Sequence, residues 1–244
     1  MNTINLADIN IDNVTLEEAL QQTEQLVRAD TPHLVVTPNP EMIVAAQKDQ
    51  LLREIINERA ALRLPDGISM IVVSHLLGRP LRQRVTGIDF LQAVCRQGAK
   101  SGWKIFLLGS APGVAEKAAT NLRMINFGLQ VVGTHHGYFK DNSQEEADVI
   151  RQINALRPDM LFVGLGAGRQ EKWLTEHLPE LGIKVGVGVG GSFDVISGIK
   201  KRAPLWAQKL YIEWLYRLVT EPQRWKRQLA LPIFLWLTLI TKRG

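Results

Sequence analysis

The sequence predicts an α/β body built on a doubly wound, mostly parallel sheet, and three observations predict it. Short apolar runs such as His33–Thr37 (HLVVT), Lys104–Leu108 (KIFLL) and Asp159–Leu165 (DMLFVGL) show no alternation of polar and apolar residues. Continuous apolar strands of that length belong to a sheet covered on both faces. Between them lie stretches with helical spacing, and strand alternating with helix is the pattern of parallel α/β folds. Turn residues follow each run, which places Thr, Asn, Asp and Gly at the carboxyl ends of the strands, where such folds bind ligands.

In chain order, Asn13 or Thr15 caps a predicted helix through Glu17–Arg28, with Leu16, Ala19, Leu20 and Leu26 on one face. The strand His33–Thr37 ends at Pro38. Glu41–Arg59 reads as helix with a break near Asp49, and Ala61–Leu64 as a short strand before Pro65-Asp66-Gly67. Helices are expected over Ile68–Leu77 and Gly87–Lys100, then the strand Lys104–Leu108, then Gly109-Ser-Ala-Pro-Gly113 opening a helix to about Met124. A strand over Leu129–Gly133, a helix over Ser143–Leu156, the strand Asp159–Leu165, a helix over Gln170–His177 and the strand Lys184–Val189 complete the alternation. Beyond Gly198 the strand pattern stops, and Pro204–Thr220, Glu221–Leu229 and Leu231–Lys242 read as successive helices. The expected division is a catalytic α/β domain over residues 1–194 and a basic, Trp-rich helical appendage over 195–244.

Charge supports that division. Residues 195–244 hold ten Lys or Arg against two acids, Glu213 and Glu221, a net +8; the chain as a whole is +5, so residues 1–194 carry −3. Leu229–Ile240 (LALPIFLWLTLI) is almost wholly apolar. It is shorter than the roughly 20 residues that cross a bilayer, and a short apolar run beside basic residues suits a helix lying in the membrane interface. An oligomer contact is the other use of such a run. A pI near 9.4 also raises nucleic acid, but the charge sits in an apolar tail without a nucleic-acid motif, so no nucleic-acid partner is expected. The N-terminus lacks the basic and apolar regions of a signal peptide, and the lone Cys95 reads as a small buried hydrophobe of a cytoplasmic protein.

Each constellation at a strand end has two readings. Thr37-Pro-Asn39-Pro-Glu41 either presents Thr37 and Asn39 on a stiffened turn or caps the next helix. Asp66 is either a general base or an N-cap. Gly109-Ser-Ala-Pro-Gly113 lets backbone amides approach a phosphate, without the Gly-Lys-Ser/Thr of a nucleotide-hydrolysing loop. Gly186-Val-Gly-Val-Gly-Gly191 formally fits a dinucleotide fingerprint but lies on the last strand, so close backbone packing or ligand space is expected there and no nicotinamide cofactor. His135-His136 are adjacent, so their side chains are expected to point in different directions with no third ligand nearby, and a turn or binding loop is expected and no metal. No Asp-x-Asp is present to hold a cation on a diphosphate, which leaves charge stabilisation to arginine.

Taken together these turns resemble one family, the WecG/TagA/CpsF glycosyltransferases. The matching segments are TPNPE (37–41), PDG (65–67), RVTGIDF (84–90), GSAPGVAEKAA (109–119), HHGYF (135–139), PDMLFVGLG (158–166), RQEKW (169–173), GVGGSFDVISG (188–198), KRAP (201–204) and EWLYRLVTEPQRWKR (213–227). The resemblance implies a Rossmann-like fold with a membrane-associating appendage. The implied activity is inverting, metal-independent transfer of N-acetylmannosamine or a related sugar from a UDP-sugar to a polyprenyl-diphosphate-linked sugar, without a cofactor, at the inner face of the plasma membrane. It implies Asp66 as general base, Thr37 and Asn39 in the sugar pocket, and Arg84 and Gln170 as positioning residues. Tyr138, Glu171 and Asp194, with the Gly109 turn, fall in segments that meet the nucleotide, and Arg217, Arg224 and Arg227 in the part that meets diphosphate. UDP-glucose or a UDP-uronic acid in exopolysaccharide synthesis is the alternative donor, and a non-catalytic membrane-bound binding protein the more distant alternative. The sequence departs from the family pattern at Met42, where His is usual, at Gly168-Arg169, where Pro-Lys is usual, and at Tyr211, where small residues are frequent.

Overall fold

The computed structural model describes residues 2–209, 212–220, 225 and 229–241, without the side chains of Lys209, Arg217 and Thr241. Among them, six parallel strands form one sheet in the order β4-β3-β8-β7-β5-β6. The strands are β3 (His33–Val36), β4 (Ala60–Arg63), β5 (Lys104–Gly109), β6 (Gln130–His135), β7 (Met160–Gly164) and β8 (Val185–Gly188). The apolar runs are buried as their composition requires: Phe106, Leu107, Leu161, Phe162, Val185 and Val187 have no exposed surface.

Side chains alternate between two cores. Leu34, Val36, Phe106, Leu108, Leu161 and Val163 face one side, with α2 (Pro40–Ala46), α3 (Gln50–Glu54), α4 (Ile68–Leu76), α7 (Gln144–Leu156) and α8 (Arg169–His177). Val35, Ile105, Leu107, Phe162, Val185 and Val187 face the other, with α1 (Leu16–Arg28), α5 (Gly87–Ser101), α6 (Val114–Ile125) and α9 (Ser192–Ile196). The doubly wound sheet is therefore present.

Boundaries follow local chemistry. Thr15 rather than Asn13 caps α1, in a capping box with Glu18. Asp49 caps α3 and makes the break expected there, and α3 runs on into a π-helical turn, Ile55–Arg59. Two elements were not foreseen. A hairpin of β1 (Thr3–Leu6) and β2 (Ile9–Asp12) turns through Ala7 and Asp8, both at positive φ, and buries Ile4, Leu6, Ile9 and Ile11. Helix α9 straddles the expected boundary at residue 194, and its Phe193 is fully buried in the second core.

Past α9 lie α10 (Leu205–Lys209), α11 (Glu213–Thr220) and α12 (Ala230–Thr241). Pro232 occupies the first turn of α12, where an amide has no helical partner to lose. This helix docks on α2 and α4 through Ala230, Phe234 and Thr238, which are buried, while Ile233, Trp236 and Ile240 are exposed. No helix among the described residues is long and apolar enough to cross a membrane.

Candidate active site

The chain leaves β3 into α2 on one face of the sheet and leaves the adjacent β8 into α9 on the other. That divergence opens a crevice at the carboxyl ends of the strands, and a cleft of about 460 Å³ occupies it. Thr37, Asn39, Asp66, Arg84 and Gln170, drawn from four separate segments, all line it.

Thr37 Oγ1 donates to Gly188 O at 3.0 Å and ties the two strand ends together. Asn39 lines the cleft but also caps α2, its Oδ1 accepting from Met42 N. Both readings of that turn therefore hold at once. Met42 itself is a buried residue of α2 at the inner wall of the cleft. Asp66 follows β4; its amide donates to Pro38 O, and its Oδ2 accepts from Gly87 N at 3.1 Å, in the first turn of α5. Arg84 pairs with Glu213, the first residue of α11, at 3.3 Å.

Gln170 is 1% exposed. Its Oε1 accepts from Gly190 N at 2.9 Å and its Nε2 donates to Glu171 Oε1 at 2.7 Å. Glu171 is buried too and turns back onto its own helix, Oε2 accepting from Gly168 N. Burial raises its pKa above the ordinary value of 4.5, against the opposing pull of these donors. A Cβ on Gly188 would stand 2.7 Å from Gln170 Nε2 and 2.8 Å from Glu171 Oε1; this glycine leaves space for the Gln-Glu pair.

Other expected site residues lie outside the cleft lining. Glu171 serves the start of α8. Gly109, at φ 141°, lets β5 approach β7 where a Cβ would meet Gly164 O at 2.5 Å. Tyr138 is 72% exposed on the loop after β6. Asp194 pairs with Lys200 at 2.9 Å. Arg224 and Arg227, like Tyr211, lie outside the described residues, and Arg217 lies on α11 without a described side chain.

The structure adds lining residues from the appendage: Lys200, Lys201, Glu213, Trp214, Ala230 and Leu231. Glu213 had a sequence signal, being one of two acids among ten bases. Beside the histidine pair the fold brings Glu145, in the first turn of α7, with its Oε1 3.5 Å from His136 Nε2. The departure at residues 168–169 also has a structural use. Arg169 donates to Gly137 O and Phe139 O and pairs with Asp141, clamping the loop after β6 onto the start of α8.

The sequence profile of the WecG/TagA/CpsF glycosyl transferase family matches residues 4–244. The chain belongs to this family. Curated relatives extend the match. An N-acetylglucosaminyldiphosphoundecaprenol N-acetyl-beta-D-mannosaminyltransferase of Staphylococcus aureus (strain MRSA252) is 33% identical over 244 residues, covering 98% of this chain and 93% of that protein. One of the same name from Bacillus spizizenii (strain ATCC 23059 / NRRL B-14472 / W23) is 34% identical over 210 residues, 86% and 80%. As a WecG/TagA/CpsF member the chain is a glycosyltransferase. The segments TPNPE, PDG, RVTGIDF and RQEKW all contribute residues to this cleft.

Proposed function

We propose that this chain transfers N-acetylmannosamine from its UDP-sugar to a polyprenyl-diphosphate-linked N-acetylglucosamine, with inversion and without a metal ion, at the inner face of the plasma membrane. The observation that carries the reading is the cleft: Asp66, Thr37, Asn39, Arg84 and Gln170 converge there, and the apolar helix α12 begins at its edge. The relatives' names supply the sugar and the lipid-linked acceptor.

In this reading Asp66 accepts the proton of the acceptor hydroxyl as its oxygen attacks the anomeric carbon from the face opposite UDP. The bond from that carbon to the phosphate oxygen breaks, and UDP leaves with the bonding pair. Arg84, Lys200 and Lys201 border the same space and supply fixed positive charge toward the leaving diphosphate. Arg217, Arg224 and Arg227 would add to it from the appendage. Thr37 and Gln170 act by holding the ends of β3 and β8 and the start of α8 in register. Tyr138 and Asp194 take the nucleotide side of the site, and Gly109 and Glu171 shape the segments beneath it.

The test is UDP release from UDP-N-acetylmannosamine with a short-chain polyprenyl-diphosphate-N-acetylglucosamine acceptor in EDTA. Acceptor-dependent release is expected, reduced on the order of 10²–10⁴-fold in Asp66→Asn. Release only from a different nucleotide sugar, or an unimpaired Asp66→Asn, would refute the assignment.

A further inference from the structure

We propose that His135, His136 and Glu145 form a site for a divalent transition-metal ion of the zinc class, outside the sugar-transfer cleft. Their ligand atoms all lie within 4.8 Å of one another, and none of the three lines the cleft. Adjacent residues of a strand normally point to opposite faces. Here β6 ends at His135, and the two imidazole rings lie side by side with centroids 4.4 Å apart.

The hydrogen bonding suits metal ligation. The His136 carbonyl can only accept, so His135 Nδ1 carries the proton of their 2.8 Å bond, which leaves the Nε2 lone pair for a metal. His136 Nδ1 accepts a long 3.4 Å contact from Tyr138 N, and its Nε2 faces Glu145 Oε1 at 3.5 Å. Ligation through Nε2 moves the His136 proton to Nδ1 and gives up only that long contact. A tetrahedral ion spaces its ligands roughly 3.4 Å apart, a closure within reach of the exposed Glu145 side chain. Two imidazoles and one carboxylate favour zinc, cobalt or nickel over magnesium or calcium. Such an ion ties the end of β6 to the first turn of α7, around the loop that Arg169 clamps beside Gln170.

The test is titration of the untagged, metal-stripped full-length protein with Zn²⁺ by calorimetry and with Co²⁺ by visible absorption. One equivalent is expected to bind, with the intense d–d bands of a low-coordinate Co²⁺ site, and with affinity lowered about tenfold or more in His136→Ala and in Glu145→Gln. Glu145 is exposed, so Glu145→Gln keeps the test valid if the histidine variant fails to fold. Zn²⁺ is also expected to raise the melting temperature of the wild type and not of Glu145→Gln. Absence of stoichiometric binding, or binding unchanged in Glu145→Gln, would overturn the site.

Discussion

At the residue scale, the cleft depends on a few atoms at the ends of β3 and β8. Gly188→Ala would push a methyl group against Gln170 and Glu171, both buried. A loss of about 1–3 kcal/mol in denaturant unfolding is expected, together with lowered turnover. An unchanged unfolding midpoint would show that the pair moves aside. Glu171 gives a pH signature. Its folded pKa is raised, so the folded state keeps a proton that the unfolded chain has released; stability is greatest below 4.5 and falls as pH rises through the raised value. The urea midpoint of the wild type is expected to fall relative to that of Glu171→Gln as pH rises above 4.5, and parallel profiles would contradict this. The Asp66, Thr37 and Asn39 positions were legible because their turns punctuate apolar strands. The inward turn of Glu171 was not: a sequence shows a charged residue in a first helical turn, but not that its own capping bond turns it back onto its helix.

At the element scale, legibility followed chemistry that acts over short range. The break at Asp49 and the cap at Thr15 are local hydrogen-bonding events between residues three apart, so sequence exposes them. Thr15→Ala is expected to cost about 1 kcal/mol in thermal or denaturant unfolding without changing turnover. The hairpin of β1 and β2 escaped notice because its turn is Ala7-Asp8, without the Asn-Gly or Asp-Gly pair that advertises such turns. For α12, composition showed an apolar helix but not which face docks. Phe234→Ala should loosen this helix from α2 and α4, seen as faster amide exchange confined to α12 and its two neighbours. Exchange that rises across the whole sheet would instead mark Phe234 as part of the global core.

At the scale of the whole molecule, strand order was the part that sequence withheld. Nothing local says that β8 inserts between β3 and β7; that placement comes from how helices are shared between the two faces, and it creates the crevice. The charge asymmetry, by contrast, was plain. Deleting residues 195–244 is expected to weaken binding to anionic vesicles, and added salt to weaken binding of the full chain. An unchanged binding curve for the deletion would rule the appendage out as the anchor, and loss of a defined oligomer with intact vesicle binding would assign it to self-association.

The first residues of α12, Ala230 and Leu231, form part of the cleft wall while its outer face carries Trp236 and Ile240. If that face rests in the headgroup layer, the reaction chamber has a fixed altitude above the lipid, and the enzyme works as a ruler. With Asp66 as the proposed base, an acceptor hydroxyl close to the diphosphate would reach it, and one carried outward by two or three further sugars would overshoot it. Turnover should therefore fall sharply with each sugar added to the acceptor, and the chain's work would be confined to the opening steps of whatever polymer it helps to build.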